Sequence, residues 1–369
     1  MEILYFAPIY YDDMKQRPQQ IARLLAQNHN VYYIEPTISL MRQIIKGGKK
    51  CTGRRRMISE TLQVVRLNGI CTLHKSLEIY DLLGINNITE VLQLRELVNK
   101  CDILWVGYSG WYTVVRHFKG KPVIFDKMDE EDLLVSSKML QKTLRRNMSE
   151  LVKYSDYVIV TCQKFYEDMR KKGKLVKLIR NAVAKTFLDD TDEKEISYTP
   201  ITHIKRIGYV GTISEWFDYD IIREILKTNS VCEIYLVGKN HLAEINNSRV
   251  KYLGIKKNEE LPAIIRTFDL CLYNFKKGDL LDTINPVKIY EYLFMNVPVL
   301  AVKSTETEVL KKYLILYEKN MDICQLLRGE IKRPFSSNEE RVAFIENNSW
   351  DNRIQQIEEI LNTMEEWKR

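Results

Sequence analysis

One stretch combines residue types suited to a charged ligand: Asn285-Pro286-Val287-Lys288-Ile289-Tyr290-Glu291-Tyr292-Leu293-Phe294. Pro286 suits a first helical turn, where its missing N–H would be unpaired anyway. The N-terminus of such a helix presents free N–H groups and a partial positive charge, which suits phosphate. Lys288 adds a full charge in that turn. Glu291, three residues on, shares its face and would accept hydrogen bonds from ribose hydroxyls. Diphosphate on the lysine with ribose on the glutamate requires this spacing. An ordinary helix start with a surface Lys–Glu pair has the same spacing, so the stretch alone leaves both readings open.

Other residues offer chemistry with an equally plain alternative. Gly211 and Thr212 follow an apolar strand, where a missing side chain would let the backbone approach a diphosphate; a simple strand-to-helix turn reads the same. Arg17 opens a helix after a loop, either as a second cation for the diphosphate or an acceptor group, or as an arginine snorkelling over the surface. Asp126, Asp129, Glu130, Glu131 and Asp132 cluster after a strand. Asp129 is placed to orient an acceptor hydroxyl or help take its proton; the alternative is a solvated helix start rich in acids. Trp216, beside Asp218, lines a sugar pocket or packs under a helix. Asp190-Thr191-Asp192 has a D-x-D metal spacing but lies in an acidic polar stretch, not at a strand end. A lysine and a helix N-terminus stabilise a leaving diphosphate without a cation, so neither metal nor cofactor is expected.

These residues need a scaffold. Apolar, β-branched and aromatic runs at 2–7, 30–35, 62–67, 102–108, 122–126, 156–161 and 175–179 read as strands, with helices at 17–28, 88–100, 131–154 and 163–172. Near-continuous apolar strands separated by helices imply parallel sheets covered on both faces. Residues 186–203 turn polar and acidic and contain Pro200, which marks a linker. A second series follows, with strands at 205–210, 232–237, 249–253, 269–274 and 298–302 and helices at 218–228, 259–267, 286–295 and 306–313. The expected organisation is an N-terminal domain over 1–185, a linker over 186–203 and a C-terminal domain over 204–349. An amphipathic helix over 350–369 ends the chain. Ligands of open parallel sheets bind beyond the carboxyl ends of the strands.

The length of 369 residues fits roughly two domains at about 150 residues each, and a composition 45% hydrophobic and 28% charged is that of a globular chain. No basic leader with a cleavage site precedes the first strand, and no apolar run is long enough to span a bilayer. The seven cysteines and five histidines are scattered, against zinc sites and disulfide frameworks and in favour of a cytoplasmic protein. Part of the net charge of +7 is concentrated in Arg42, Lys46, Lys49, Lys50, Arg54, Arg55 and Arg56. That stretch reads as a solvated loop, a patch for the anionic inner face of a membrane at about 1 kcal/mol per cation, or a nucleic-acid arm. Without interleaved aromatics for base stacking, no nucleic-acid partner is expected.

The run 252–301, YLGIKKNEELPAIIRTFDLCLYNFKKGDLLDTINPVKIYEYLFMNVPVLA, resembles the donor domain of retaining GT-B glycosyltransferases of the family 4 type. It is closest to the bacterial cell-surface polysaccharide and teichuronic-acid-type transferases. IGYVGTISEWFDYDII (207–222), IRNAV (179–183), RPQQIARLLAQNHNVYYIEP (17–36) and VIFDKMDE (123–130) resemble further blocks of that family in the required order. The resemblance implies two Rossmann-like domains facing a central cleft, the first binding a glycan or lipid-linked acceptor and the second a nucleotide-diphosphate sugar, with UDP favoured. The C-terminal helix would pack back on the first domain. Lys288 would neutralise the leaving diphosphate and Glu291, second glutamate of an E-x7-E motif, would hold the ribose. The first glutamate of that motif is replaced by Thr283, leaving the backbone of Thr283, Ile284, Asn285, Pro286 and Val287 as the candidate to hold the transferred sugar. Ile255 falls in the base-binding loop, where Gly254 is equally a turn glycine.

Two other functions fit the same fold. A nucleotide-sugar 2-epimerase would need carboxylates and histidines around the sugar, and the histidines here are few. A catalytically inactive binding subunit would explain Thr283 but not the retention of Lys288 and Glu291.

Overall fold

The computed structural model describes residues 1–13, 16–39, 55–69, 85–183, 196–319 and 323–366. The chain forms two compact units, Met1–Ile179 with Ile354–Arg369, and Arg180–Arg353.

The first unit contains β1 (Glu2–Phe6), β2 (Asn30–Ile34), β3 (Ile38–Ser39), β4 (Arg55–Met57), β5 (Leu62–Val65), β6 (Asn68–Gly69), β7 (Ile103–Val106), β8 (Val123–Lys127), β9 (Tyr157–Val160) and β10 (Val176–Leu178). Eight of them form one sheet in the order β10-β9-β8-β7-β1-β2-β5-β4. Every pairing is parallel except β4 on β5 at the edge. β7 and β8 are buried along their whole length; β7 is wholly apolar, as burial on both faces demands, whereas β8 ends in the buried charged residues Asp126 and Lys127. The order reverses between β1 and β7. Helices Arg17–Leu25, Ile85–Lys100, Lys138–Tyr154 and Gln163–Lys171 lie between the strands. Helix Trp350–Glu366 contributes its residues from Ile354 onward to this unit. There Ile357, Ile360, Leu361 and Met364 are buried, and Glu358 accepts from His29 Nε2 at 2.8 Å.

The second unit is one six-stranded parallel sheet of β11 (Arg206–Val210), β12 (Glu233–Val237), β13 (Val250–Gly254), β14 (Leu270–Tyr273), β15 (Val299–Val302) and β16 (Ile315–Tyr317). Its order, β13-β12-β11-β14-β15-β16, reverses between β11 and β14. Helices Tyr219–Thr228, Leu261–Arg266, Val287–Phe294 and Asn338–Asn347 belong to it.

All twelve expected strands are present, most of them a residue or two shorter. The helix expected over 131–154 is divided: Glu131–Leu134 is a 3-10 turn, and Ser137 caps a separate helix by accepting from Leu140 N–H. β16 and helix Asn338–Asn347 were not expected. The expected linker is corrected in its second half. Ile196, Ile201 and Ile204 are buried in the core of the second unit, and Ile201 pairs with Ile331; three isoleucines in a polar run are enough to pull the segment inward. Residues 184–195, which include the Asp190-Thr191-Asp192 triplet, lie outside the described residues, as does most of the basic stretch at 42–56. The unit boundary also falls earlier than expected, because Arg180, Asn181 and Val183 bond to Glu306, Asn285 and Asn348 of the second unit.

Candidate functional site

Helix Val287–Phe294 presents Lys288 and Glu291 on one face. Lys288 Nζ donates to both Glu291 oxygens, at 3.0 and 2.8 Å. This is not the surface pair of the plain alternative: the Glu291 side chain is 11% exposed and Lys288 lies over it at 34%. Burial raises the Glu291 pKa above the usual carboxylate range, and Lys288 opposes the shift. Pro286 is the N-cap, one residue before the helix proper. Ile289, Tyr290, Tyr292, Leu293 and Phe294 are buried and fix the helix. Tyr292 does so specifically, because its hydroxyl accepts from Val210 N–H at 2.8 Å. The helix is thereby hooked to the carboxyl end of β11, one residue before Gly211. In the sequence Tyr292 is indistinguishable from any core aromatic.

The residues before the helix are tied down by a polar network. Asn285 is buried; its Oδ1 accepts from Asn181 N–H at 2.9 Å and its Nδ2 donates to Glu306 at 3.0 Å. Glu306 is also held by Arg180 Nε at 2.9 Å. The Asn285 side chain is therefore occupied in positioning the helix start, which leaves its backbone as the part expected at the donor. Thr283 is buried and donates its hydroxyl to Leu280 O at 2.8 Å, so neither its chemistry nor its bonding replaces a carboxylate.

Gly211 needs its missing side chain for a reason internal to the fold. A Cβ there would sit 2.9 Å from the Tyr209 hydroxyl, which donates to Thr212 O at 3.0 Å. Backbone bonds from Gly211 N–H to Val237 O and from Gly238 N–H to Gly254 O knit the loops after β11, β12 and β13 together. Thr212 is exposed along this edge. Gly254 has φ +66°, a turn glycine, and next to it Ile255 projects an apolar side chain that is 67% exposed. Asn274, buried at the end of β14, donates Nδ2 to Asp218 O at 2.9 Å; its Oδ1 has no partner among the described residues. Asp218 is the N-cap of helix Tyr219–Thr228. Phe217 packs into the core, whereas Trp216 is half-buried. Gly211, Thr212, Ile255, Lys288 and Glu291 thus share the carboxyl side of the second sheet, with Gly211 and Thr212 following β11, where the strand order reverses, and Ile255 following the edge strand β13.

In the first unit both expectations for Arg17 need correction. Its guanidinium is buried and grips Asp126, with Nη2 at 2.9 Å from Oδ1 and Nη1 donating to Ile179 O at 2.9 Å. It is neither a snorkelling surface group nor a cation held ready for a ligand. The acids after β8 also divide. Lys127 Nζ is buried, bonds Glu130 at 3.1 Å and lies 3.8 Å from the centre of the Phe165 ring. Asp132 pairs with Arg145. Glu131 accepts from Ser109 N–H at 2.9 Å and from the Ser109 hydroxyl, and burial pushes its carboxyl up to about 7. Of the five acids only the exposed Asp129 has no side-chain hydrogen bond or ion pair among the described residues.

No protein-family model matches the chain, and no curated protein matches it. Solved structures do. Sucrose-phosphate synthase from Thermosynechococcus elongatus superposes with a TM-score of 0.69 at 12% identity, over 99% of each chain. Anabaena HepE, solved with UDP, gives 0.68 at 14% identity over 98% of this chain and 100% of its own. The α,α-trehalose 6-phosphate synthase of Burkholderia multivorans gives 0.63 at 10%, over 100% and 99%. The fold is GT-B. At such identities the likeness reaches the GT-B architecture and stops there. Among the described residues of this GT-B chain, no helix is long and apolar enough to cross a membrane.

Proposed function

We propose that the protein is a glycosyltransferase that moves a sugar from a nucleotide-diphosphate sugar, a UDP-sugar, to a glycan or lipid-linked glycan in cell-surface polysaccharide synthesis. The observation that carries this reading is the Lys288–Glu291 pair on a helix hooked to the end of β11. Lys288 and the free N–H groups of the helix start stabilise the charge that develops as the nucleoside diphosphate leaves. Glu291 accepts the ribose hydroxyls, and exposed Ile255 offers an apolar surface to the base. As the bond from the anomeric carbon to the diphosphate oxygen breaks, the carbon gains oxocarbenium character and the acceptor hydroxyl bonds to it from the same face, with retention. Asp129, whose carboxylate makes no hydrogen bond or ion pair among the described residues, orients the acceptor hydroxyl. The fold shared with HepE, which was solved with UDP-glucose, supports the donor class, and the resemblance of the donor segment to the family 4 type supports retention.

A thermal-shift screen against UDP, GDP, dTDP, CMP and their sugar conjugates tests the donor site. Saturation at about 100 times Kd adds about 2.7 kcal/mol of stability. UDP and its conjugates should raise the Tm, and Glu291→Ala should abolish the rise. A screen in which no nucleotide shifts the protein would redirect attention to a binding subunit.

A further inference from the structure

We propose that the Lys288–Glu291 pair is a latch that admits a ligand only when diphosphate and ribose arrive on the same molecule. The inference rests on the donor reading of this helix and adds a specificity device to it.

The layering of the two side chains is the starting point. The ammonium is the outer group and the carboxylate the inner one, with side-chain exposures of 34% and 11%. A single Nζ lies within hydrogen-bond distance of both carboxylate oxygens. Among the described residues neither side chain bonds to any other. Lys288 therefore covers Glu291 and is its sole charged support, and Glu291 ties up Lys288.

Each half of a ligand fails alone for a different reason. Pyrophosphate would draw Lys288 away and strand a buried carboxylate without a counter-charge, a strongly unfavourable state. A nucleoside carries no charge to draw the lysine off, so its hydroxyls find the carboxylate oxygens covered. A nucleoside diphosphate solves both problems. Its phosphates take the ammonium, and its two vicinal ribose hydroxyls donate to the oxygens thus uncovered. The hinge of this exchange is the lysine stem, whose flexible methylenes can swing while the helix stays fixed. The Tyr292 hydroxyl on Val210 prevents the helix from rolling instead. The pair thereby discriminates against the free phosphate compounds that share the diphosphate chemistry of the donor.

Isothermal titration of the full chain with inorganic pyrophosphate, uridine and UDP tests the latch. In Glu291→Gln, which keeps the shape and removes the charge, pyrophosphate affinity should rise about tenfold or more over wild type, because no buried charge is stranded. UDP affinity should fall in the same variant. Adding Lys288→Ala should erase the pyrophosphate gain. Glu291→Ala should show the gain as well, should the glutamine variant fold poorly. Wild type that binds UDP, with pyrophosphate affinity the same in wild type and both Glu291 variants, would overturn the latch and leave the donor site standing. Wild type that fails to bind UDP would remove the donor reading and the latch with it.

Discussion

Arg17 and Asp126 form a buried ion pair in which one guanidinium spans both carboxylate oxygens. Nε lies 3.2 and 3.1 Å from Oδ1 and Oδ2, and Nη2 lies 2.9 Å from Oδ1. The side chains are 5% and 0% exposed. The contact ties the start of the first helix to β8, and Nη1 extends it to Ile179 O. Removing one partner leaves the other charge buried and uncompensated. Arg17→Met should therefore destabilise the protein by about 3–5 kcal/mol, read by urea denaturation of the full chain. The double variant Arg17→Met/Asp126→Leu should recover much of the loss, because an apolar pair of similar volume carries no desolvation cost. If Arg17→Met unfolds at the wild-type urea concentration, the pair has no structural weight.

Lys288 faces a different test, because it is partly exposed and its loss need not unfold anything. Lys288→Ala should lower turnover by about 100-fold or more, the scale seen when one group that stabilises developing charge is removed. Glu291 will then be an uncovered acid, so the variant should be assayed with a check of its melting curve. Sugar transfer at the wild-type rate in Lys288→Ala would end the assignment of this helix to the leaving diphosphate.

What was legible in the sequence depended on the range of the interaction. Lys288 and Glu291 could be placed on one face because helical geometry fixes neighbours three residues apart. β7 was legible because burial on both faces demands an unbroken apolar run, and β8 through its Val123-Ile124-Phe125 start. Arg17 was misread because its partner is 109 residues away, and no local pattern marks a helix-opening arginine as buried. The role of the Asn285 side chain was not legible, because its partners Asn181 and Glu306 lie 104 and 21 residues off in sequence. Gly211 stood out as a glycine after a strand, where a diphosphate would come close or the chain would simply turn; that Tyr209 occupies the space of its missing side chain is set by the fold. β16 escaped notice because three residues carry too little periodicity.

Glu131 gives the first unit a pH dependence. Burial outweighs the two donors on Ser109 and the nearby Lys127, lifting the carboxyl from 4.5 to about 7. Between those values the folded state keeps a proton that the unfolded chain has lost, so stability falls as pH rises from about 4.5 to 7 and levels off above. The loss attributable to this group is on the order of 3 kcal/mol. Glu131→Gln cannot ionise and should lose this component of the slope. Its stability relative to wild type should therefore rise steadily between pH 4 and 8 in denaturation experiments. Parallel curves for the two proteins would show that Glu131 ionises in the folded state as readily as in the unfolded one.

Gly208 makes a prediction about the strand that carries the site. It lies in the middle of β11, paired with Tyr235 on one side and Cys271 on the other. A Cβ added there would fall 2.0 Å from Phe268 Cδ2 and 2.2 Å from Cε2. The Phe268 ring is buried and packs 5.9 Å from the Tyr235 ring, so displacing it disturbs that packing. Gly208→Ala should cost about 1–3 kcal/mol by overpacking. Two residues further on, Val210 N–H meets the Tyr292 hydroxyl, so a displaced β11 should also loosen the Lys288 helix and weaken UDP binding. Replacing the ring relieves the clash, and the double variant Gly208→Ala/Phe268→Leu should be less destabilised than the sum of its parts. If the two effects simply add, the ring is not what excludes a side chain at Gly208, and the strand itself must be the rigid partner.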